Sequence, residues 1–217
     1  MKRFYPLALF VFLLGGLTQL SAQVFVEEKS KPTPADQRGF SVVIGMDGFG
    51  FGAAYRKALP GYFYLGAVAD FFIVRGEREI SVYDPYYGAY ITINKESQLF
   101  FLPVNVELKR QLFAEVIEEN FQPHLFAQAG AIFGLNIPEK RFYEMRDIPV
   151  PPKEFKVSYN FVIGIGADII SKQSAYLTIR PQFRYVYFPQ AIAGQKDHSA
   201  FEISLEFGKR YRKKTGK

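Results

Sequence analysis

Apolar and polar residues alternate with a period of two over long stretches of this chain. From Val157 to Ile169 every second residue is apolar or aromatic, and the residues between them are mostly polar or glycine. From Phe201 to Phe207 the same alternation sets large apolar residues against two glutamates and a serine. A period of two sustained this long predicts β-strands that have one apolar and one polar face.

Eight such segments follow one another along the chain. The pattern predicts strands at 39–47, 50–57, 62–73, 97–109, 121–133, 156–169, 175–188 and 199–209. The 23 Phe and 14 Tyr of the sequence support this assignment, because aromatic side chains suit a pleated surface. The predicted fold is therefore all-β, an eight-stranded antiparallel up-and-down barrel.

The composition of the polar faces predicts that the apolar faces point outward. Those polar faces combine many glycines with both acidic and basic residues, as expected for a crowded interior with paired ions. The strands are also long enough to cross a bilayer at a tilt. These features favour a transmembrane barrel with a packed polar lumen. The alternative is a soluble, lipocalin-like ligand-binding barrel in the periplasm, with the apolar faces inward.

Two ion pairs are predicted inside the barrel, between the last two strands. Residue numbers that face each other in an antiparallel pair have a constant sum, so one register places Arg184 opposite Glu202 and Arg180 opposite Glu206. All four side chains belong to the polar faces. Proline is unfavourable inside a paired strand, so Pro103 and Pro181 predict bulges or interrupted pairing.

The ends of the chain differ in character from the barrel. Residues 1–22 combine two basic residues, an apolar stretch and Leu20-Ser21-Ala22, which predicts a cleaved secretory signal peptide. Residues 23–38 lack a period and contain two prolines, which predicts a flexible leader. The barrel is assigned to 39–211 and a basic tail to 212–217. Export of a strand-rich, apolar-faced chain predicts location in a bacterial outer membrane.

The net charge of +6 arises from the chain ends, because Lys2 and Arg3 contribute +2 and residues 209–217 contribute +6. The body between them carries about −2, so no nucleic-acid partner is expected. The chain has no cysteine and two histidines, which gives no metal or cofactor site. Asp197-His198-Ser199 resembles a catalytic set, but neighbours on an extended chain point to opposite faces. We therefore expect no enzymatic activity.

The segment 80–93 is the best candidate for a functional surface. Alternating residues flank Asp84-Pro85-Tyr86-Tyr87-Gly88, which predicts a hairpin extending from the outer end of the barrel. Its tyrosines offer rigid contact area with a polar tip, suited to an extracellular protein or glycan. They are Tyr83, Tyr86, Tyr87 and Tyr90. The alternative is that they only order the loop.

The pattern across residues 39–211 resembles the small OmpA/OmpX-type outer-membrane β-barrel domains. The run Phe201, Ile203, Leu205, Phe207 resembles the last-strand signal by which the barrel assembly machinery recognises such proteins, although here 208–217 follow it. The resemblance implies contact with that machinery, with outer-membrane lipid and with lipopolysaccharide. Outer-membrane lipid A deacylases are barrels of similar size, but their His-x-Ser pattern is absent at His124 and His198. A lipid A modifying enzyme is therefore an alternative that this family's sequence motif does not support.

Overall fold

The computed structural model describes residues 35–46, 48–75, 80–86, 88–93, 96–117, 120–171 and 174–211. Within these ranges the chain is almost entirely strand. The elements, in chain order, are β1 (Asp36–Gly45), β2 (Gly48–Leu59), β3 (Phe63–Val74), β4 (Ile80–Asp84), β5 (Ala89–Ile93), β6 (Ser97–Gln111), β7 (Phe121–Pro138), α1 (Lys140–Glu144), β8 (Glu154–Ile170), β9 (Ala175–Ile192), β10 (Gln195–Asp197) and β11 (Ala200–Tyr211). No helix among the described residues is long and apolar enough to cross a membrane.

Eight of these strands form a closed antiparallel barrel. Each pairs with the next along the chain, in the order β1, β2, β3, β6, β7, β8, β9, β11, and β11 returns to β1. This confirms the predicted eight-stranded up-and-down barrel. Strands β4 and β5 form a separate hairpin.

The predicted boundaries differ from the structure at both ends of some strands. β1 begins at Asp36, so the assignment of 36–38 to a flexible leader is wrong: these residues pair with Tyr211, Arg210 and Lys209 of β11. β7 and β9 extend to Pro138 and Ile192, beyond the predicted ends. The signal segment 1–22, the first part of the leader and the tail 212–217 lie outside the described residues.

The strands are staggered by ten residues around the barrel. From Phe40 of β1, the path of directly paired residues that leads through β2 ends at Tyr187 of β9. The path that leads through β11 ends at Leu177 of the same strand, ten positions away. The first path runs through Ala53, Ala69, Val104, Ala131 and Tyr159, and the second through Phe207. Such a stagger requires strands that tilt strongly against the barrel axis. It also brings lumen side chains from distant strands to one level.

Successive side chains point alternately into the lumen and to the outside. Polar side chains point inward and apolar ones outward, which is the reverse of a water-soluble protein. On β6 the side chains of Asn105, Glu107 and Lys109 are buried in the lumen, whereas Val106 and Leu108 are exposed on the outer face. The other barrel strands follow the same rule. The exterior is therefore an apolar surface and the interior is predominantly polar.

The two prolines interrupt pairing without shifting its register. Between β3 and β6 the paired residues stop at Ala69↔Val104 and resume at Phe72↔Phe101, so the gap lies at Pro103. Between β8 and β9 a gap of the same size lies at Pro181, with an unchanged register on either side. Of the two predicted outcomes, interrupted pairing is confirmed, because a missing N–H removes hydrogen bonds but adds no residue.

The barrel has two unlike rims. The terminal rim holds the start of β1 and the end of β11, together with the connections 60–62, 112–120 and 171–174. The loop rim, at the opposite end, holds the β4–β5 hairpin, the segment 139–153 with α1, and β10.

Candidate functional site

Four charged side chains meet in the lumen and span it. Arg56 of β2 contacts Glu107 of β6 and Glu206 of β11, with Nη1 2.5 Å and Nη2 2.8 Å from the Glu206 carboxylate oxygens. Arg180 of β9 approaches the same two glutamates, at 3.0 Å and 3.4 Å. We call Arg56, Glu107, Arg180 and Glu206 the four-charge cluster. Each glutamate lies between two guanidinium groups, so burial of these charges is compensated by opposite charge.

A second cluster lies around Lys109, nearer the terminal rim. Its ammonium Nζ lies 2.5 Å from Asp168 of β8 and donates to Gln37 of β1 at 3.1 Å. Asp168 also accepts a hydrogen bond from Thr178 at 2.7 Å, and His124 Nδ1 lies 3.5 Å from it. These side chains are almost fully buried. Residues of five strands are thereby joined across the lumen.

A third cluster forms around Arg184 of β9, on the loop side of the lumen. Its Nε donates to Glu202 at 2.8 Å, and its Nη2 donates to Asp70 of β3 at 3.2 Å. Glu202 also accepts from Gln182 at 2.6 Å. Asn105, Gln128 and Asn160 form a neutral hydrogen-bonded layer that connects to Arg184 and Glu107.

The predicted register of the last hairpin is wrong by two residues. Glu202 directly opposes Gln182, and Glu206 directly opposes Thr178, so neither arginine faces its glutamate. The contacts of Arg184 and Arg180 with these glutamates are diagonal, which long side chains can span. The cause lies in the connection, where the pairing of β10 with β9 is irregular between Gln195 and Asp197. Such an irregularity displaces the strand that follows it.

An apolar cap closes the loop end of the lumen, and the alternation of residues alone does not predict it. Its inward members are Val43, Phe72, Leu99, Phe101, Ile132, Val186, Phe188 and Ile192. Phe72 has the same strand parity as Asp70, which is the sequence signal that could have placed it inside. A cavity of about 30 Å³, roughly one water molecule in size, lies between the cap and Arg184.

The two histidines lie in different parts of the barrel. The His198 ring packs edge-on against Phe101 and Phe188, with centroid distances of 5.1 and 5.8 Å. The Ser199 hydroxyl accepts the Val186 amide at 3.1 Å, and the Asp197 carboxylate accepts the Ser199 amide at 2.9 Å. His124 is buried in the lumen near the terminal rim. Among the described residues, no group of three or more His, Asp and Glu side chains is arranged to hold a metal ion.

The candidate surface-binding segment forms a hairpin, as the sequence predicts. β4 and β5 pair from Ile80↔Ile93 to Asp84↔Ala89. The Tyr83 and Tyr86 side chains are exposed, Tyr86 by 87%. Tyr90 is placed in β5 opposite Tyr83, and Tyr87 lies outside the described residues.

The arrangement defines a class of protein. A closed eight-stranded barrel with charged residues packed inside and apolar residues outside has the organisation of transmembrane β-barrels.

No protein-family model and no curated protein matches the chain. Among solved structures, Neisserial surface protein A is similar with a TM-score of 0.49 and 8% identity, over 81% of this chain and 94% of that one. The N-terminal β-barrel domain of Pseudomonas aeruginosa OprF gives 0.48 and 8%, over 82% and 98%. A major outer membrane protein from Thermus thermophilus gives 0.49 and 9%, over 82% and 100%. The fold itself rests on the strand order and not on these similarities.

Proposed function

We propose that this protein is a bacterial outer-membrane β-barrel that acts through its structure and its loop rim. The observation that carries the proposal is the polarity of the two faces. Val106 and Ile165 are 60% and 58% exposed on the outer face, whereas Arg56 and Lys109 in the lumen are fully buried. An exterior of this kind is unfavourable in water and suited to lipid.

The soluble lipocalin-like alternative requires the opposite polarity. A water-soluble ligand-binding barrel keeps its apolar face inward and encloses an apolar cavity. Here the middle of the lumen is occupied by the three charged clusters. This distribution favours the membrane barrel.

The proposed orientation places the terminal rim in the periplasm. Transmembrane barrels have short periplasmic turns and longer extracellular loops. At the terminal rim the connections 60–62 and 171–174 are short and 112–120 has nine residues, whereas the two longest connections, 75–96 and 139–153, lie at the loop rim. The loop rim would then face the outside of the cell.

The filled lumen supports a structural role over a pore. The four-charge cluster joins strands from several sides of the barrel, and the apolar cap closes the loop end. An eight-stranded barrel encloses little more than its own side chains. The outward Phe201, Ile203 and Phe207 of β11 also suit recognition by the barrel assembly machinery.

Absence of catalysis is part of the proposal. The described contacts of both residues are structural: the His198 ring packs on two phenylalanine rings, and the Ser199 hydroxyl accepts the Val186 amide. Replacing His124, His198 and Ser199 by Ala should leave the mass profile of lipid A unchanged. A changed acylation pattern in any of the three variants would restore the enzyme alternative.

The exposed tyrosines of the β4–β5 hairpin support binding of a protein or glycan at the loop rim. Cells expressing the wild-type protein should adhere to an array of glycans and matrix proteins more strongly than cells expressing the Tyr83→Ser, Tyr86→Ser variant. Tyr159→Ser, which removes an exposed tyrosine from β8, is the matched control. Equal adhesion of all three would leave the tyrosines with a purely loop-ordering role.

Fractionation tests the central proposal. The full chain should sediment with outer membranes, resist extraction by high salt and require detergent for solubilisation. Recovery as a soluble periplasmic monomer would overturn it.

A further inference from the structure

A row of basic side chains lies on the outer face of the barrel at the terminal rim. Arg38 of β1 is directly opposed by Lys209 of β11 on one side and by Tyr55 of β2 on the other. Lys57 follows Tyr55 on the same outer face of β2, and all four side chains are exposed. We call Arg38, Lys57 and Lys209 the basic row.

The Arg38 guanidinium is held between two aromatic rings. Its Cζ lies 5.4 Å from the centre of the Tyr55 ring and 5.1 Å from that of Tyr211. Cation–π contacts of this kind restrain the guanidinium next to the two rings at the outer face. None of the ion pairs among the described residues involves a member of the basic row.

A cavity opens beside this row. Its volume is about 280 Å³, and its lining includes Lys57, Tyr211, Asp36 and Pro60. The Asp36 carboxylate is the acidic group of the lining, and its Oδ1 accepts the Ala58 amide at 2.9 Å. The cavity and the basic row together provide room and positive charge for a phosphate group.

A patch of small side chains lies directly above the row, toward the middle of the barrel. Ala53 of β2 and Ala69 of β3 oppose each other, and Ala67 opposes Tyr55. All three alanines point outward. The Phe51 ring lies between those of Phe40 and Phe71 beside this patch, with centroid distances of 6.5 and 5.4 Å. The outer surface is therefore lower at the alanines than at the phenylalanines, over an area suited to a hydrocarbon chain.

We propose that the outer face of β1, β2, β3 and β11 at the terminal rim is a binding site for an anionic glycerophospholipid. The phosphate lies at the basic row, and an acyl chain runs over the three alanines. The inference rests on the proposed function, because it needs the outer face to be in a bilayer. The terminal rim faces the periplasmic leaflet in the proposed orientation, so the occupant is a phospholipid and not lipopolysaccharide.

The test uses the folded protein in a neutral detergent, with all variants retaining residues 212–217. Equal amounts of dioleoyl phosphatidylglycerol and dioleoyl phosphatidylcholine are added, and the bound lipid is identified by native mass spectrometry. The site variant is Arg38→Gln, Lys57→Gln, Lys209→Gln. The matched control, Lys140→Gln, Lys153→Gln, Lys196→Gln, removes the same charge from exposed positions at the loop rim.

The wild type and the control should bind phosphatidylglycerol in clear excess. The site variant should lose this preference, by about fivefold for each cation removed at low salt. Ala69→Phe, which fills the patch without changing charge, should weaken binding of the dioleoyl lipid but not of dihexanoyl phosphatidylglycerol. If the triple variant does not fold, Lys57→Gln alone is measured against Lys153→Gln alone.

Equal binding of the two lipids by the wild type would overturn the site, as would equal losses in the site variant and the control. Displacement of phosphatidylglycerol by added lipopolysaccharide would overturn the choice of lipid. A protein that fractionates with membranes but shows no lipid preference refutes this site and leaves the proposed function intact. A soluble protein refutes both.

Discussion

Arg184 and Glu202 form an ion pair although they are not directly opposed in the sheet. Glu202 faces Gln182, and the arginine reaches it diagonally with Nε at 2.8 Å, while its Nη2 lies 3.2 Å from Asp70. Arg184 of β9 thus contacts β11 and β3, the two strands that flank β1 and β2 in the barrel. The closing strands are held by contacts across the lumen as well as by backbone pairing.

Reversing this pair should show coupling. Arg184→Glu places a third carboxylate beside Asp70 and Glu202, and we expect it to lower the free energy of unfolding by about 3 to 5 kcal/mol. Adding Glu202→Arg should restore part of this loss, but not all, because Asp70 has lost Arg184 and the arginine now at position 202 lies at a different distance from it. Reversible denaturation in detergent measures the double-mutant cycle. Simple additivity of the two single changes would refute the coupling.

Arg56 and Arg38 provide a comparison between a buried and an exposed arginine. Arg56→Met removes the partner of two buried glutamates, which should cost about 3 to 5 kcal/mol in the free energy of unfolding. Arg38→Met removes only stacking with two tyrosines and should cost about 1 kcal/mol or less. The same denaturation measurement compares the two variants. Similar losses in both would mean that the four-charge cluster is not held as described.

Inward glycines should differ according to the space around them. A Cβ at Gly164 would lie 2.7 Å from both the Pro181 carbonyl oxygen and Phe126 Cζ, whereas a Cβ at Gly45 meets no atom closer than 3.4 Å. Gly164→Ala should therefore lower the free energy of unfolding by about 1 to 3 kcal/mol, and Gly45→Ala should have little effect. If both alanines were tolerated equally, the lumen would be less tightly packed near β8 than the structure shows.

Charge placed on the outer face should be penalised by depth in the bilayer. Val104→Arg lies midway along β6, and we expect a loss of about 2 to 4 kcal/mol in the free energy of unfolding from liposomes. Phe121→Arg, at the terminal rim on β7, should cost about 1 kcal/mol or less. Equal small effects at both positions would indicate that the outer face contacts water.

The alternation of residues was sufficient to predict the eight barrel strands and their facing. Glu107 and Val106 are neighbours on β6, and the alternation correctly places the first in the lumen and the second on the outer face. The alternation does not predict which side chains meet across the lumen. The partners of Arg56, for example, depend on the ten-residue stagger, and the stagger follows from turns whose geometry the sequence does not specify. The apolar cap could not be predicted from the alternation alone, because large apolar residues near the loop rim occupy both faces of a strand, as Phe71 and Phe72 do on β3 and Phe100 and Phe101 on β6.

Whether the outer face of β6 contacts lipid can be measured directly with single labelled cysteines, because the chain has no cysteine of its own. Single cysteines at Val104, Val106 and Leu108, each carrying a nitroxide, should be accessible to oxygen dissolved in the bilayer and shielded from a water-soluble nickel chelate. A nitroxide on Gly88→Cys in the hairpin at the loop rim should show the reverse. Access of the nickel chelate to all three β6 positions in the folded protein would contradict a lipid-facing exterior.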